Sequence, residues 1–279
     1  MLRTIVRYMK RHSKEVKIPI TQLVNENNLL KNKVALITGG SGGIGFAIAK
    51  SFIESSAFVI ITGTNEEKLK KCCSDLGDKA EYLILDLKKF NSIESNIQYA
   101  IKKYGKIDIL VNSAGIHSTN PIQDFFHVTP EEYDSIMEIN LKGTYFVSQY
   151  VSKHMIDKNI KGHILNISSS TALEPAWSPY RLSKWGIKGF TLGLADQLLP
   201  YGIIVNGIAP GSTATNLLDY KKGDSIFTRD NPMKRYVMPE EVAQYAKLLV
   251  SDLGNMVVGE TLYISGGRGN IVIPTFSQD

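Results

Sequence analysis

From Lys33 onward the chain alternates between two kinds of segment, and that alternation limits the available folds more than any other feature. Short apolar runs rich in branched residues occupy Val34–Ile37, Phe58–Ile61, Tyr82–Leu85, Ile107–Val111, His163–Ile167, Ile203–Ile208 and Thr261–Ile264. Their apolar positions are consecutive rather than alternate, the mark of strands covered on both faces. Helix-length segments separate them: Ile44–Ser55, Glu66–Leu76, Ser92–Tyr104, Pro130–His154, Pro179–Leu199 and Pro239–Leu253. The order predicts an α/β class fold, a doubly wound parallel sheet of about seven strands with helices on both faces. Crossovers in such a sheet are right-handed, and a ligand sits at the C-terminal ends of the strands. No repeat or Pro/Gly-rich linker interrupts the pattern. One domain over 31–273, a basic extension over 1–30 and a tail over 274–279 is the simplest parsing of 279 residues.

Charge narrows the partners. Residues 1–17 hold six of the 32 basic residues and one of the 27 acidic ones, which leaves 26 of each sign for the rest. The whole excess of +5 therefore lies in the extension, and an electroneutral body gives no footprint for nucleic acid. Leu2, Ile5, Val6, Met9 and Val16 fall at helical spacing among Arg3, Arg7, Lys10, Arg11 and Lys14. That pattern reads either as a self-docked extension or as a weak peripheral contact with a membrane surface. No apolar run reaches the ~18 residues of a span, and the extension lacks the apolar centre of a cleaved signal. Cys72 and Cys73 are adjacent, too close for ordinary disulfide geometry, and read as reduced thiols on a helix in a cytoplasmic protein. Five scattered histidines show no metal-ligand spacing, so no metal is expected; His117 reads as a surface residue.

TGGSGGIG, Thr38 to Gly45, follows the first strand and opens the first helix. Glycines there permit positive φ and let a pyrophosphate approach backbone amides at the positive end of the helix. This places a Rossmann-type dinucleotide site at the first turn. Farther on, Tyr180 and Lys184 stand four residues apart in YRLSK, one helical turn, and so share a face. A solvated helix face explains such a pair; acid–base chemistry explains it too, because a nearby ammonium favours the phenolate and brings a phenol of pKa ~10 toward neutral pH. A serine hydroxyl orienting the substrate oxygen comes from Ser168, Ser169 or Ser170.

Taken in order, these motifs resemble the compact short-chain dehydrogenase/reductase family over Lys31 to about Gly267. Gly39, Ser41, Gly42, Gly43, Ile44 and Gly45 resemble its cofactor loop, with the spacing Gly39-x-x-x-Gly43-x-Gly45. Asp86 and Leu87 match its adenine contact. Asn112, Ala114 and Gly115 belong to NSAG, similar to the family's N-N-A-G with Ser113 in place of an asparagine. Pro210, Gly211, Thr213 and Thr215 resemble the loop around the nicotinamide carboxamide. The resemblance implies Tyr180 as the catalytic acid/base, Lys184 lowering its pKa and binding the nicotinamide ribose, and Asn140 supporting a proton-relay water. It selects Ser169 as the catalytic serine, three residues after Asn166, although the eleven residues from Ser169 to Tyr180 are about two fewer than usual. It further implies a homodimer or homotetramer.

The second strand ends in Gly63 and Thr64 with no acid to hold a ribose 2′-OH. Neither Thr64 nor Gly42 is the arginine or lysine that NADP-preferring relatives often use, but Thr64, Asn65 and Lys68 are within reach of a 2′-phosphate, so NADP(H) is preferred, with NAD(H) as the alternative. Glu174 and Trp177 are expected to border the pocket mouth, and Lys221, Lys222 and Arg229 read as solvated charges of a mobile loop over 212–233. The chain thus reads as an NAD(P)-dependent oxidoreductase interconverting a carbonyl and an alcohol, an NADPH-dependent reductase of a ketone or 3-oxoacyl-type small molecule. The alternatives are an NAD-dependent alcohol or sugar dehydrogenase and a catalytically silent dinucleotide-binding protein.

Overall fold

The computed structural model describes residues 28–118, 124–221 and 223–271, so the amphipathic reading of residues 1–17 lies outside the described residues. Seven strands form one sheet: β1 (Val34–Thr38), β2 (Phe58–Gly63), β3 (Ala80–Ile84), β4 (Ile109–Asn112), β5 (His163–Ile167), β6 (Ile204–Pro210) and β7 (Thr261–Ile264). Their order across the sheet is β3-β2-β1-β4-β5-β6-β7, and every pairing is parallel. The chain reverses direction of winding between β1 and β4, and the crevice outside their C-terminal ends is where such a sheet takes a ligand.

Both faces are covered because alternate residues of each central strand point to opposite layers. Ala35 and Ile37 of β1 pack with Ile48 and Phe52 of α1 (Gly43–Glu54), Leu69 of α2 (Glu66–Leu76) and Val242 of α7 (Pro239–Leu249). Leu36 packs on the other side with Ile93 and Ile97 of α3 (Phe90–Tyr104), Val147 and Val151 of α5 (Thr144–Asp157) and Ala195 of α6 (Pro179–Leu198). No helix among the described residues is long and apolar enough to cross a membrane.

The expected single helix Pro130–His154 is a correction. It is three pieces: α4 (Pro130–Met137), a π-helical turn over Glu138–Gly143 and then α5. Asn140 lies in that turn, and single π turns inside α-helices recur at functional sites. The last expected helix is likewise shorter, since α7 stops at Leu249 and a separate 3-10 turn covers Asp252–Gly254. Cys72 and Cys73 are free, partly buried thiols on α2, and burial pushes the Cys73 thiol up to about 11.

His163, at the start of β5, is buried with no partner for its Nδ1, and desolvation pulls its pKa down to about 4. The unfolded chain binds this proton below about pH 6.5 while the folded one refuses it until about pH 4. Stability is therefore complete above pH 6.5 and falls as the pH drops toward 4, by about 3 kcal/mol for this residue. Urea titrations between pH 7 and 4 are expected to show that slope, and His163→Gln to flatten it; an unchanged slope in the variant contradicts the assignment.

Candidate active site

The first turn is shaped by what its glycines exclude. Gly39 has φ +64°, and a Cβ there would lie 2.7 Å from Ala114 Cα. A Cβ on Gly43 would lie 2.5 Å from Thr215 Cγ2, and one on Gly45 2.5 Å from the Gly39 carbonyl oxygen. The Thr38 hydroxyl accepts from the amides of Ser113 and Ala114, at 3.1 and 3.2 Å, and so ties the turn after β1 to the turn after β4. Helices α2, α4 and α6 are capped by the side chains of Asn65, Thr129 and Ser178. By contrast α1 has Gly42 at its N-cap, with no side-chain cap and no acid in its first turn. Its first amides and the positive end of its dipole are therefore left for an outside anion, which fits a dinucleotide pyrophosphate.

At the end of β2, Thr64 is exposed and Asn65 Oδ1 accepts from the Lys68 amide at 2.9 Å. The first carboxylate beyond, Glu66, is engaged by Lys70 at 2.8 Å and by the Tyr82 hydroxyl at 3.1 Å. Asp86 follows β3, accepting from the Lys88 amide, and the buried Leu87 packs under Gly143 of the π turn. Asn112 points its side chain into the interior, where its amide donates to Ser148 Oγ at 2.9 Å and Asn166 Oδ1 at 2.8 Å. That leaves only its backbone to face a dinucleotide.

α6 and the turn after β5 carry the side chains expected to react. Ser178 caps α6 through the Arg181 amide and Pro179 takes the first helical position, which sets Tyr180 in the first turn with Lys184 one turn on. Lys184 Nζ lies 5.6 Å from the centre of the Tyr180 ring and donates to the Ile167 carbonyl at 3.0 Å. The three serines separate by position. Ser168 donates to the Lys184 carbonyl at 2.8 Å, Ser170 is buried, and the Ser169 hydroxyl accepts from the Thr171 amide and shares the cleft lining with Tyr180. Asn140 is buried in the π turn. Its Oδ1 accepts from the Ile116 amide at 2.8 Å, and its amide donates to the Ile116 carbonyl at 2.9 Å and to Ser183 Oγ at 3.1 Å. A Cβ on Gly115 would lie 3.4 Å from Asn140 Oδ1 and 3.5 Å from Lys184 Nζ, so NSAG, Asn140 and Lys184 meet at one point.

Electrostatics amend the sequence-based expectation. Burial pulls the Lys184 ammonium down to about 8, and it pushes the Tyr180 phenol above its usual value. The bond from Ser169 and the charge of Arg268 act the other way on the phenol. The cation that opposes burial at Tyr180 is thus Arg268, a residue the sequence reading did not single out.

Pro210 ends β6, Gly211 donates to the Ile264 carbonyl at 2.9 Å, and Thr213 donates to the Gly211 carbonyl at 2.9 Å. Thr215 sits against Gly43. Between them opens a cleft of about 350 Å³ whose lining includes Ile44, Ser169, Trp177, Tyr180, Gly211 and Thr215. His117 also lines it rather than standing on the open surface: its Nδ1 lies 2.6 Å from the Ser118 carbonyl and its Nε2 2.7 Å from the Leu217 carbonyl, with its ring edge-on to Tyr180. Glu174, expected at the mouth, instead grips Arg268 and Arg181. Arg268 lies in a loop after β7, 88 positions from Tyr180 in the chain, and only the order of the strands brings the two together.

A family model described as short chain dehydrogenase matches residues 33–225. The 3-oxoacyl-[acyl-carrier-protein] reductase FabG of Chlamydia muridarum is 37% identical over 252 residues, 86% of this chain and 99% of that protein. Among solved structures, the 3-ketoacyl-(acyl-carrier-protein) reductase of Brucella melitensis, complexed with NADH, is 32% identical with a TM-score of 0.79, over 87% of this chain and 100% of its own. A gluconate 5-dehydrogenase from Burkholderia cenocepacia, in complex with NADP and tartrate, is 31% identical with a TM-score of 0.78, over 88% of this chain and 99% of its own. With the glycine turn, the Tyr180–Lys184 pair and the parallel sheet in their expected places, the chain belongs to the short-chain dehydrogenase family and is an NAD(P)-dependent oxidoreductase of the carbonyl–alcohol couple.

Proposed function

We propose that the chain, as a single domain over 31–273, is an NADPH-dependent reductase of a 3-oxoacyl-type ketone, with Tyr180 as proton donor. The observation that carries this reading is the Tyr180 phenol at the cleft, beside Ser169 in its lining, one turn from Lys184 and on the same rim as the glycine turn. The names of the relatives that act on 3-oxoacyl carriers support the substrate type.

The glycine turn and the amides of Gly43, Ile44 and Gly45 would hold the pyrophosphate, and Asp86 and Leu87 would border the adenine. Lys184 would hold the nicotinamide ribose, and Pro210, Gly211, Thr213 and Thr215 the carboxamide end. A reduced nicotinamide bound there would supply a hydride to the carbonyl carbon. Ser169 donates a hydrogen bond to the carbonyl oxygen and orients it toward Tyr180. As that oxygen gains charge, the Tyr180 hydroxyl gives it a proton, so the C=O double bond becomes H–C–O–H and the phenolate remains. The Lys184 ammonium then stabilises the phenolate until solvent returns the proton. Asn140 acts by clamping the backbone at Ile116, which fixes the loop beside Lys184.

Preference for NADPH is supported by the missing acid at 63–65 and by the engagement of Glu66 with Lys70 and Tyr82. A cytoplasmic homodimer or homotetramer accompanies the reading; exposed Tyr145, Trp185 and Leu192 on α5 and α6 support pairing through those helices.

Three results test it. Tyr180→Phe is expected to lower carbonyl reduction by about 10²–10⁴-fold while binding the dinucleotide as before; unchanged turnover rejects the assignment. Fluorescence titration is expected to give tighter binding of NADPH than of NADH, and the reverse order overturns the preference. Since Lys184 must keep its proton to steady the phenolate, kcat/KM for reduction is expected to fall as pH rises through about 8. A profile flat to pH 9.5 removes Lys184 from that role.

A further inference from the structure

We propose that Arg181 and Arg268 form an anion subsite beside Tyr180, and that the ketone reduced there carries a carboxylate. The inference rests on the reductase reading and narrows it from 3-oxoacyl groups in general to 3-oxo acids, as opposed to neutral thioesters.

Both guanidiniums line the same cleft as Tyr180, one from the first turn of α6 and the other from the loop after β7. One carboxylate orients both. Arg268 donates from Nε to Glu174 Oε1 at 2.6 Å and from Nη2 to Oε2 at 3.3 Å, and Arg181 Nη1 reaches Oε2 at 3.2 Å. The Glu174 side chain is 18% exposed, against 26% for Arg268 and 27% for Arg181, so the cations are wetter than the anion that holds them. Two permanent positive charges on one negative leave the trio at +1, and arginine does not shed its proton to relieve that.

The remaining bonds do not exhaust the donors. Arg268 Nη1 reaches Ser212 Oγ at 3.3 Å and Arg181 Nη1 the Pro175 carbonyl at 3.0 Å. Each guanidinium offers five N–H groups, and among the described residues Nε and Nη2 of Arg181 have no bond. Two acids share the cleft lining with the arginines, Asp124 and Glu132, and a third, Asp230, lies near Arg268. Asp230 acts on Arg268 at longer range and accepts from Ser212 Oγ at 2.9 Å. Asp124 is held by His127 at 2.7 Å, and Glu132 belongs to α4 rather than to the arginine wall. The N-terminal end of the α6 dipole adds positive potential on the arginine side. A planar carboxylate is the group that such a fork recognises best.

A purely mechanical role, tying residue 174 to the loop after β7, would affect stability and leave ligand choice alone. The discriminating measurement is calorimetric binding of acetoacetate and of methyl acetoacetate to protein saturated with NADP+, so that no hydride moves. Acetoacetate is expected to bind at least about tenfold more tightly than its ester, the scale of one charge-assisted bond. Arg268→Gln and Arg181→Gln are each expected to lose most of that preference while ester affinity is retained, and Arg268→Lys to keep part of it. Equal affinities in the unmodified protein, or an undiminished preference in both glutamine variants whatever their melting temperatures, overturn the subsite. An intact preference in a protein that does not oxidise NADPH with either compound supports the subsite and overturns the reductase reading instead.

Discussion

The site depends on one side chain that behaves like a short piece of backbone. Asn140 accepts from the amide of Ile116 and donates to its carbonyl, the pair of bonds a neighbouring strand would make, at the point where β4 has run out of strand partners. Buried backbone groups must be satisfied somewhere, and here a helix supplies them. To aim that amide at the loop, the helix takes one wider turn at Glu138–Gly143, against which Leu87 packs from the β3 side. Gly115, on the loop so fixed, leaves just enough room for the Lys184 amine. The most buried ammonium among the described residues is therefore held by the Ile167 carbonyl on one side and a loop without side-chain bulk on the other.

That confinement sets the charge balance of the cleft. Burial works against charge at both members of the Tyr180–Lys184 pair, raising one and lowering the other. A reading based only on helical spacing sees the attraction between an ammonium and a phenolate and misses the desolvation that opposes it. Permanently charged groups are the natural complement to a lysine whose proton is less tightly held, and Arg268 is the one that acts on the phenol.

Much of this was legible in the sequence because it depends on local order. Consecutive apolar residues announced strands buried on both faces, and all seven are present in a single parallel sheet. The glycine octet and the four-residue interval between Tyr180 and Lys184 are short-range patterns, and they survive folding unchanged. Ser169 was reached by resemblance, and it lines the same cleft as Tyr180. Long-range placement was not legible. Nothing in Pro130–His154 signals a π turn, because its cause is a backbone amide some two dozen residues earlier in the chain. His117 looked like surface and Glu174 like a pocket rim, since a sequence does not say which loops face each other across strand ends. Asn112 matched a cofactor motif, yet its side chain serves the interior between β4, β5 and α5.

The van der Waals seat of Thr215 on Gly43 joins two regions that chemistry would treat as separate. One is the glycine turn proposed to cradle a phosphate; the other begins the loop after β6. A methyl group added at Gly43 would be felt in both places at once, pushing the turn and that loop apart. Genetic change at this one atom-sized gap is consequently read twice.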